Sequence, residues 1–129
     1  MKASLLALAV WMFVIAGLAG AAELDERWVE YRNGDVEVPA FLLVPKGRGP
    51  HPAVLYIHGR SGLNERVQAQ ARRLAARGFA VLAPDYHTGR FIPENPIEHD
   101  PATEKDVELG LEFIKTVANV QSQKVCVVG

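Results

Sequence analysis

A serine three residues after a histidine invites a nucleophile-and-base reading. Ser61 stands in His58-Gly-Arg-Ser-Gly62, between an apolar run and a helical pattern. A hydroxyl attacks only when a base is positioned against it, and nearness in sequence does not position an imidazole. The strand-to-helix nucleophile turn G-x-[SC]-x-G would also need glycine at 63, where this chain has Leu63. Ser61 therefore reads as a loop serine. Cys126, the one cysteine, lies inside the apolar run Lys124–Val128. Reactive thiols need electropositive, partly exposed surroundings, so the expectation is a small buried hydrophobe. His87 and His99 with Asp100 lack the compact spacing of a ligand set, and no metal is expected. Gly59 and Gly62 fit neither G-x-G-x-x-G nor G-x4-G-K-[ST], so no nucleotide-binding loop is read here. Arg66, Arg72, Arg73 and Arg77 read as a solvated helix face.

The elements that hold these residues follow from the apolar pattern. Residues 28–32 alternate, and Asn33-Gly34 suggests a two-residue hairpin turn with positive φ at both positions. A second strand over 36–44 contains Pro39, which predicts a sheet edge. Residues 53–57, 79–83 and 124–128 are short continuous apolar runs, as in strands buried on both faces. Between them, Asn64 can cap a helix over about 65–77. Its apolar residues Val67, Ala71, Leu74 and Ala75 share one face, and Gly78 ends it. After a loop over 84–101, Thr103 and Asp106 have capping-box spacing for a helix reaching about 118. The order is a hairpin, then β-α-β-α-β. Alternating strands and helices predict a parallel sheet with helices on its faces. Right-handed crossovers place the loops 58–64 and 84–103 at its carboxyl edge, where open α/β sheets bind ligands.

The first 22 residues carry one charge, Lys2, then an apolar run over 3–18 and small residues to Ala22. This reads as a signal peptide cleaved after Ala19-Gly20-Ala21, which predicts an exported protein, periplasmic or secreted. The rival reading is an uncleaved anchor, for which the run is short. The expected domain is 23–129, with no stable membrane span once the leader is removed. Its 13 basic and 15 acidic residues give no basic surplus, so no nucleic-acid partner is expected.

Three stretches resemble one family. Ala53-Val-Leu-Tyr-Ile-His-Gly-Arg-Ser-Gly-Leu-Asn64 is similar to a strand ending in a His-x-x-x-Gly-Leu-Asn loop. Arg73-Leu-Ala-Ala-Arg-Gly-Phe-Ala-Val-Leu-Ala-Pro-Asp85 and Lys124-Val-Cys-Val-Val-Gly129 follow at fitting distances. Together they resemble the dienelactone hydrolase family. The resemblance implies the N-terminal half of an α/β-hydrolase fold, with a hairpin followed by parallel β-α-β-α-β. It implies hydrolysis of a small-molecule ester or lactone through an acyl-enzyme, with no cofactor. Gly129 would be the first glycine of the nucleophile elbow. Nucleophile, acid and histidine would then lie after Gly129, with no catalytic residue in this chain, which alone is expected to be inactive. The loop at Gly59 and Arg60 would supply an oxyanion donor, the Arg60 N–H, and Arg90 is the candidate for binding a substrate carboxylate. Cysteine-type members carry glutamate where this chain has Gly59, which favours a serine nucleophile or a relative with another substrate. The alternatives are an exported, non-enzymatic α/β binding module and an inactive truncated relative.

Overall fold

The structure, a computed structural model, describes residues 22–129, so all of the apolar leader but Ala22 lies outside the described residues. Five strands, β1 (Leu24–Asn33), β2 (Val36–Pro45), β3 (His51–Tyr56), β4 (Ala80–Pro84) and β5 (Val120–Val128), form one sheet. Its order is β1-β2-β4-β3-β5. β1 and β2 are antiparallel, as are β2 and β4, whereas β4, β3 and β5 run parallel. Two helices, α1 (Glu65–Ala76) and α2 (Ala102–Ile114), supply the crossovers. The hairpin and the parallel β-α-β-α-β that the sequence pattern predicts are present, in the arrangement of the N-terminal half of an α/β-hydrolase fold that the resemblance implies.

The alternation of side chains along a strand explains why the central runs are apolar throughout. Val38, Ala40, Leu42 and Val44 of β2 pack with Leu55, Leu82 and Ile114 on the α2 side. Phe41 and Leu43 pack with Val54, Val81, Ala71 and Ala75 on the α1 side. The α1 start is capped as expected: the Val67 N–H donates to Asn64 Oδ1 at 3.1 Å. Gly78, at φ +102, takes the chain out of the helix.

Four local expectations are corrected. In the hairpin, Asn33 pairs with Val36, so the two turn residues are Gly34 and Asp35. Of these, Gly34 has positive φ, +59, which is the demand of a turn with glycine first rather than of Asn-Gly. Pro39 is not on an edge strand, because β2 pairs on both sides. It sits where the β4 ladder stops: its carbonyl accepts the Asp85 N–H at 2.7 Å, and no return donor is needed past Pro84. The Thr103–Asp106 capping box does not form. Asp100 caps instead, its Oδ1 accepting the Ala102 N–H at 2.9 Å, while the Asp106 carboxylate is fully buried inside the fold. Cys126 is exposed. Among the described residues β5 pairs only with β3, and α1 packs over β2 and β4, so none of them covers the α1 side of β5.

α2 docks closely on the sheet through Gly110. A Cβ there would lie 2.6 Å from the Tyr31 hydroxyl oxygen and 3.1 Å from Pro84 Cγ. The Tyr31 hydroxyl cannot withdraw freely, because it donates to the Asp106 carbonyl at 2.6 Å. Gly110→Ala is therefore expected to destabilise by about 1–3 kcal/mol through overpacking. That outweighs the ~1 kcal/mol that alanine gains over glycine in a helix. Thermal unfolding checks the sign, and the loss should shrink in a Tyr31→Phe background.

Candidate functional site

The loop after β3 and the longer loop after β4 meet at the carboxyl edge of the parallel strands. Between them and the first turns of α2 lies a cavity of about 790 Å³. Ile57, His58, Gly59 and Arg60 line one wall, Tyr86 and His87 the next, and Val107 of α2 a third. Glu98, Asp100, Glu104 and Glu108 also border it, so its rim is acidic.

His58 is the most buried polar group in this wall, 3 % exposed. Its ring stacks on Tyr86, centroids 3.9 Å apart and 10° from parallel, and meets the edge of His87 at 4.6 Å. His58 Nδ1 lies 2.8 Å from the Gly59 carbonyl oxygen. A carbonyl only accepts, so Nδ1 carries the proton and Nε2 is bare. Burial, above all, pushes the His58 pKa below its ordinary value, opposed in part by the hydrogen bond to Gly59 and, less, by Asp85, whose Oδ1 is 4.0 Å from Nε2. Burial likewise lowers the His87 pKa. In both rings burial disfavours the protonated, charged form.

The two loops are tied at three points. The Tyr86 hydroxyl donates to the His58 carbonyl. The Asn95 N–H donates to the Arg60 carbonyl at 2.9 Å, and the Arg60 guanidinium donates to the Pro96 carbonyl at 2.7 Å. Within the first loop, the Gly62 N–H closes a turn onto the Gly59 carbonyl at 3.0 Å. Gly59 and Arg60 are exposed at the cavity wall, and among the described residues the Arg60 N–H has no protein acceptor.

Gly129 follows β5 directly beside this loop. The Ile57 N–H donates to the Val128 carbonyl at 2.7 Å. A Cβ on Gly129 would stand 3.2 Å from Ile57 Cβ and 3.3 Å from the Ile57 carbonyl oxygen. The close approach of two backbones is what glycine permits at this position.

The other candidates form no catalytic pair among the described residues. Ser61 is exposed, and the His58 proton is already given to Gly59, so no serine–imidazole pair forms. His99 also lines the cavity, but it is exposed and lies against Glu104 at 3.1 Å. Among the described residues no group of three or more His, Cys, Asp or Glu is placed to hold a metal.

Arg90 is engaged elsewhere. It does not line the cavity. Its Nε and terminal nitrogen fork onto the Asp106 carboxylate at 2.6 and 2.8 Å. Asp106 is fully buried, and the Asn33 amide donates to the same carboxylate at 2.8 Å. The hydrogen bonding of Arg90 itself to Asp106, foremost, raises the Arg90 pKa above its ordinary value. A guanidinium so paired has given its Nε and one terminal nitrogen to a carboxylate of its own chain.

Sequence reasoning missed Tyr86, the His58 clamp and the Arg90–Asp106 pair. The only sequence signal for the last was an acidic residue on the apolar side of a helix, between Val107 and Thr103.

The pattern of the Dienelactone hydrolase family matches residues 38–129. YghX of Escherichia coli K12, named as a candidate hydrolase fragment, is 44% identical over 54 residues, 41% of this chain and 46% of that protein. The mouse acyl-coenzyme A amino acid N-acyltransferase 2 is 30% identical over 117 residues, 84% of this chain and 24% of that protein. Among solved structures, the dienelactone hydrolase-like promiscuous phosphotriesterase P91 from metagenomic libraries superposes with a TM-score of 0.63 at 25% identity. That match covers 84% of this chain and 48% of P91. The chain thus spans less than half the length of these relatives.

Proposed function

The chain belongs to the dienelactone hydrolase family, and on that premise we propose that the protein carrying it hydrolyses a carboxylic ester or lactone through a covalent acyl-enzyme. The observation that carries this reading is the packing of Gly129 against Ile57, at the root of the Gly59–Arg60 loop. A nucleophile on a turn beginning at Gly129 would attack a carbonyl next to that loop. The Arg60 N–H then serves as one donor to the oxyanion of the tetrahedral intermediate. The second donor, the nucleophile, the acid and the histidine belong to the part following Gly129. Export by the leader, residues 1–22, completes the proposal.

The neighbouring acyltransferases favour acyl transfer as the shared chemistry, with water or an amine as the acceptor. The two are separated by one experiment on the full-length protein. Incubation with p-nitrophenyl acetate should release p-nitrophenol in a burst and leave an acetyl adduct, detectable by mass, on a peptide starting just after β5. Turnover in plain buffer supports hydrolysis. Turnover that needs an added amine supports transfer. Release without any adduct overturns the acyl-enzyme.

A further inference from the structure

We propose that the His58 imidazole is a positioning residue for the oxyanion donor: by holding the Gly59 carbonyl it fixes the direction of the Arg60 N–H. The inference rests on the acyl-enzyme reading of the Gly59–Arg60 loop.

The argument is one of peptide geometry. The Gly59 C=O and the Arg60 N–H belong to the same planar trans peptide and point in opposite directions. Whatever grips one therefore aims the other. The Gly59 oxygen is gripped twice, by His58 Nδ1 at 2.8 Å and by the Gly62 N–H at 3.0 Å. The Gly62 bond closes the turn but is made by a backbone that could move with it. The His58 ring is anchored outside the turn, stacked on Tyr86 and met edge-on by His87. It is the group that ties this peptide to the body of the protein.

Tyr86 does the same for the preceding peptide. Its hydroxyl donates to the His58 carbonyl, which sets the direction of the Gly59 N–H. Two successive peptides are thus held by their carbonyls. A donor that is already aimed costs no reorganisation when the oxyanion forms, and this is the origin of its catalytic value. Glycine at 59 has no side chain to add packing of its own, so the orientation must come from partners of its carbonyl.

The chemistry of His58 fits the task. As a neutral ring with its proton on Nδ1, it offers one donor, used on Gly59. Its Nε2 is buried without a hydrogen-bond partner. A general base would present that nitrogen to the substrate, and here it is closed off. His58 therefore acts through the backbone and touches no reacting atom.

The test compares His58→Phe and His58→Asn in the full-length protein, with folding checked by thermal unfolding. Phenylalanine keeps a ring to stack on Tyr86 and removes the donor. Asparagine places an amide N–H near the Nδ1 position. His58→Phe should lower kcat for p-nitrophenyl acetate by about 10–100-fold with KM within about twofold, the signature of an interaction made in the transition state. His58→Asn should regain most of that loss. A structural role alone would move stability without this split and rescue. Nitrogen-15 NMR of the parent should show His58 as the Nδ1–H tautomer. An Nε2–H tautomer overturns the proposal, as does a folded phenylalanine variant with parental kcat, or an asparagine variant no better than phenylalanine. A parent inactive on every ester overturns the enzymatic reading and this role together, which distinguishes that failure from the others.

Discussion

Arg90→Met should destabilise the protein by about 3–5 kcal/mol, the range for removing one partner of a buried ion pair. The substitution leaves the Asp106 carboxylate, with no exposed surface, holding only the Asn33 amide. Methionine replaces the aliphatic stem, so the loss is mainly electrostatic. Asp106→Leu should cost less, because the Arg90 side chain is 16% exposed and can turn to water once released. The double variant should cost less than the sum, since it strands no charge. Urea unfolding of the four proteins reads the cycle. The result also discriminates between roles. A substrate-binding arginine would raise KM for anionic esters on removal and leave the unfolding midpoint in place. A midpoint unchanged in Arg90→Met would return Arg90 to that role and refute the buried pair.

Arg60→Pro is expected to lower kcat of the full-length protein by about 10²–10³, the usual loss of one oxyanion donor. Proline removes the N–H that faces away from the gripped Gly59 carbonyl. It also removes the guanidinium that donates to Pro96, so Arg60→Ala serves as reference. Alanine loses the same guanidinium and keeps the N–H. The proline variant should fall below the alanine variant by the full factor, at equal unfolding temperature. Equal kcat in the two variants would remove Arg60 from the oxyanion hole.

The sheet was readable from the sequence because burial on both faces imposes continuous apolar runs, as at 53–57 and 79–83. α1 was readable because its cap, Asn64, and its apolar face are local features. Local signals misled where a distant partner decided the outcome. Thr103 and Asp106 have capping spacing, yet Arg90 and Asn33 draw the Asp106 carboxylate inward. Pro39 is an edge signal, yet it falls where a neighbouring ladder ends. Cys126 sits in an apolar run whose α1 side no element covers among the described residues. At the site, the Gly59–Arg60 loop was located by resemblance. The stacking of His58 on Tyr86, 28 residues on, has no periodicity to betray it.

The knot around Asp106 has a kinetic consequence. It joins Tyr31 and Asn33 to a residue 75 and 73 positions later, whereas the β1–β2 hairpin closes across two. Closing long loops must precede any reward from such contacts, so chain topology places them late on the folding route. Contacts absent from the transition state govern how fast the native state is lost rather than how fast it is reached. The knot then works as a latch on escape. In a chevron plot, Arg90→Met should lift the unfolding limb and leave the refolding limb nearly in place, so that the hairpin and the loop over the cavity open together and more often.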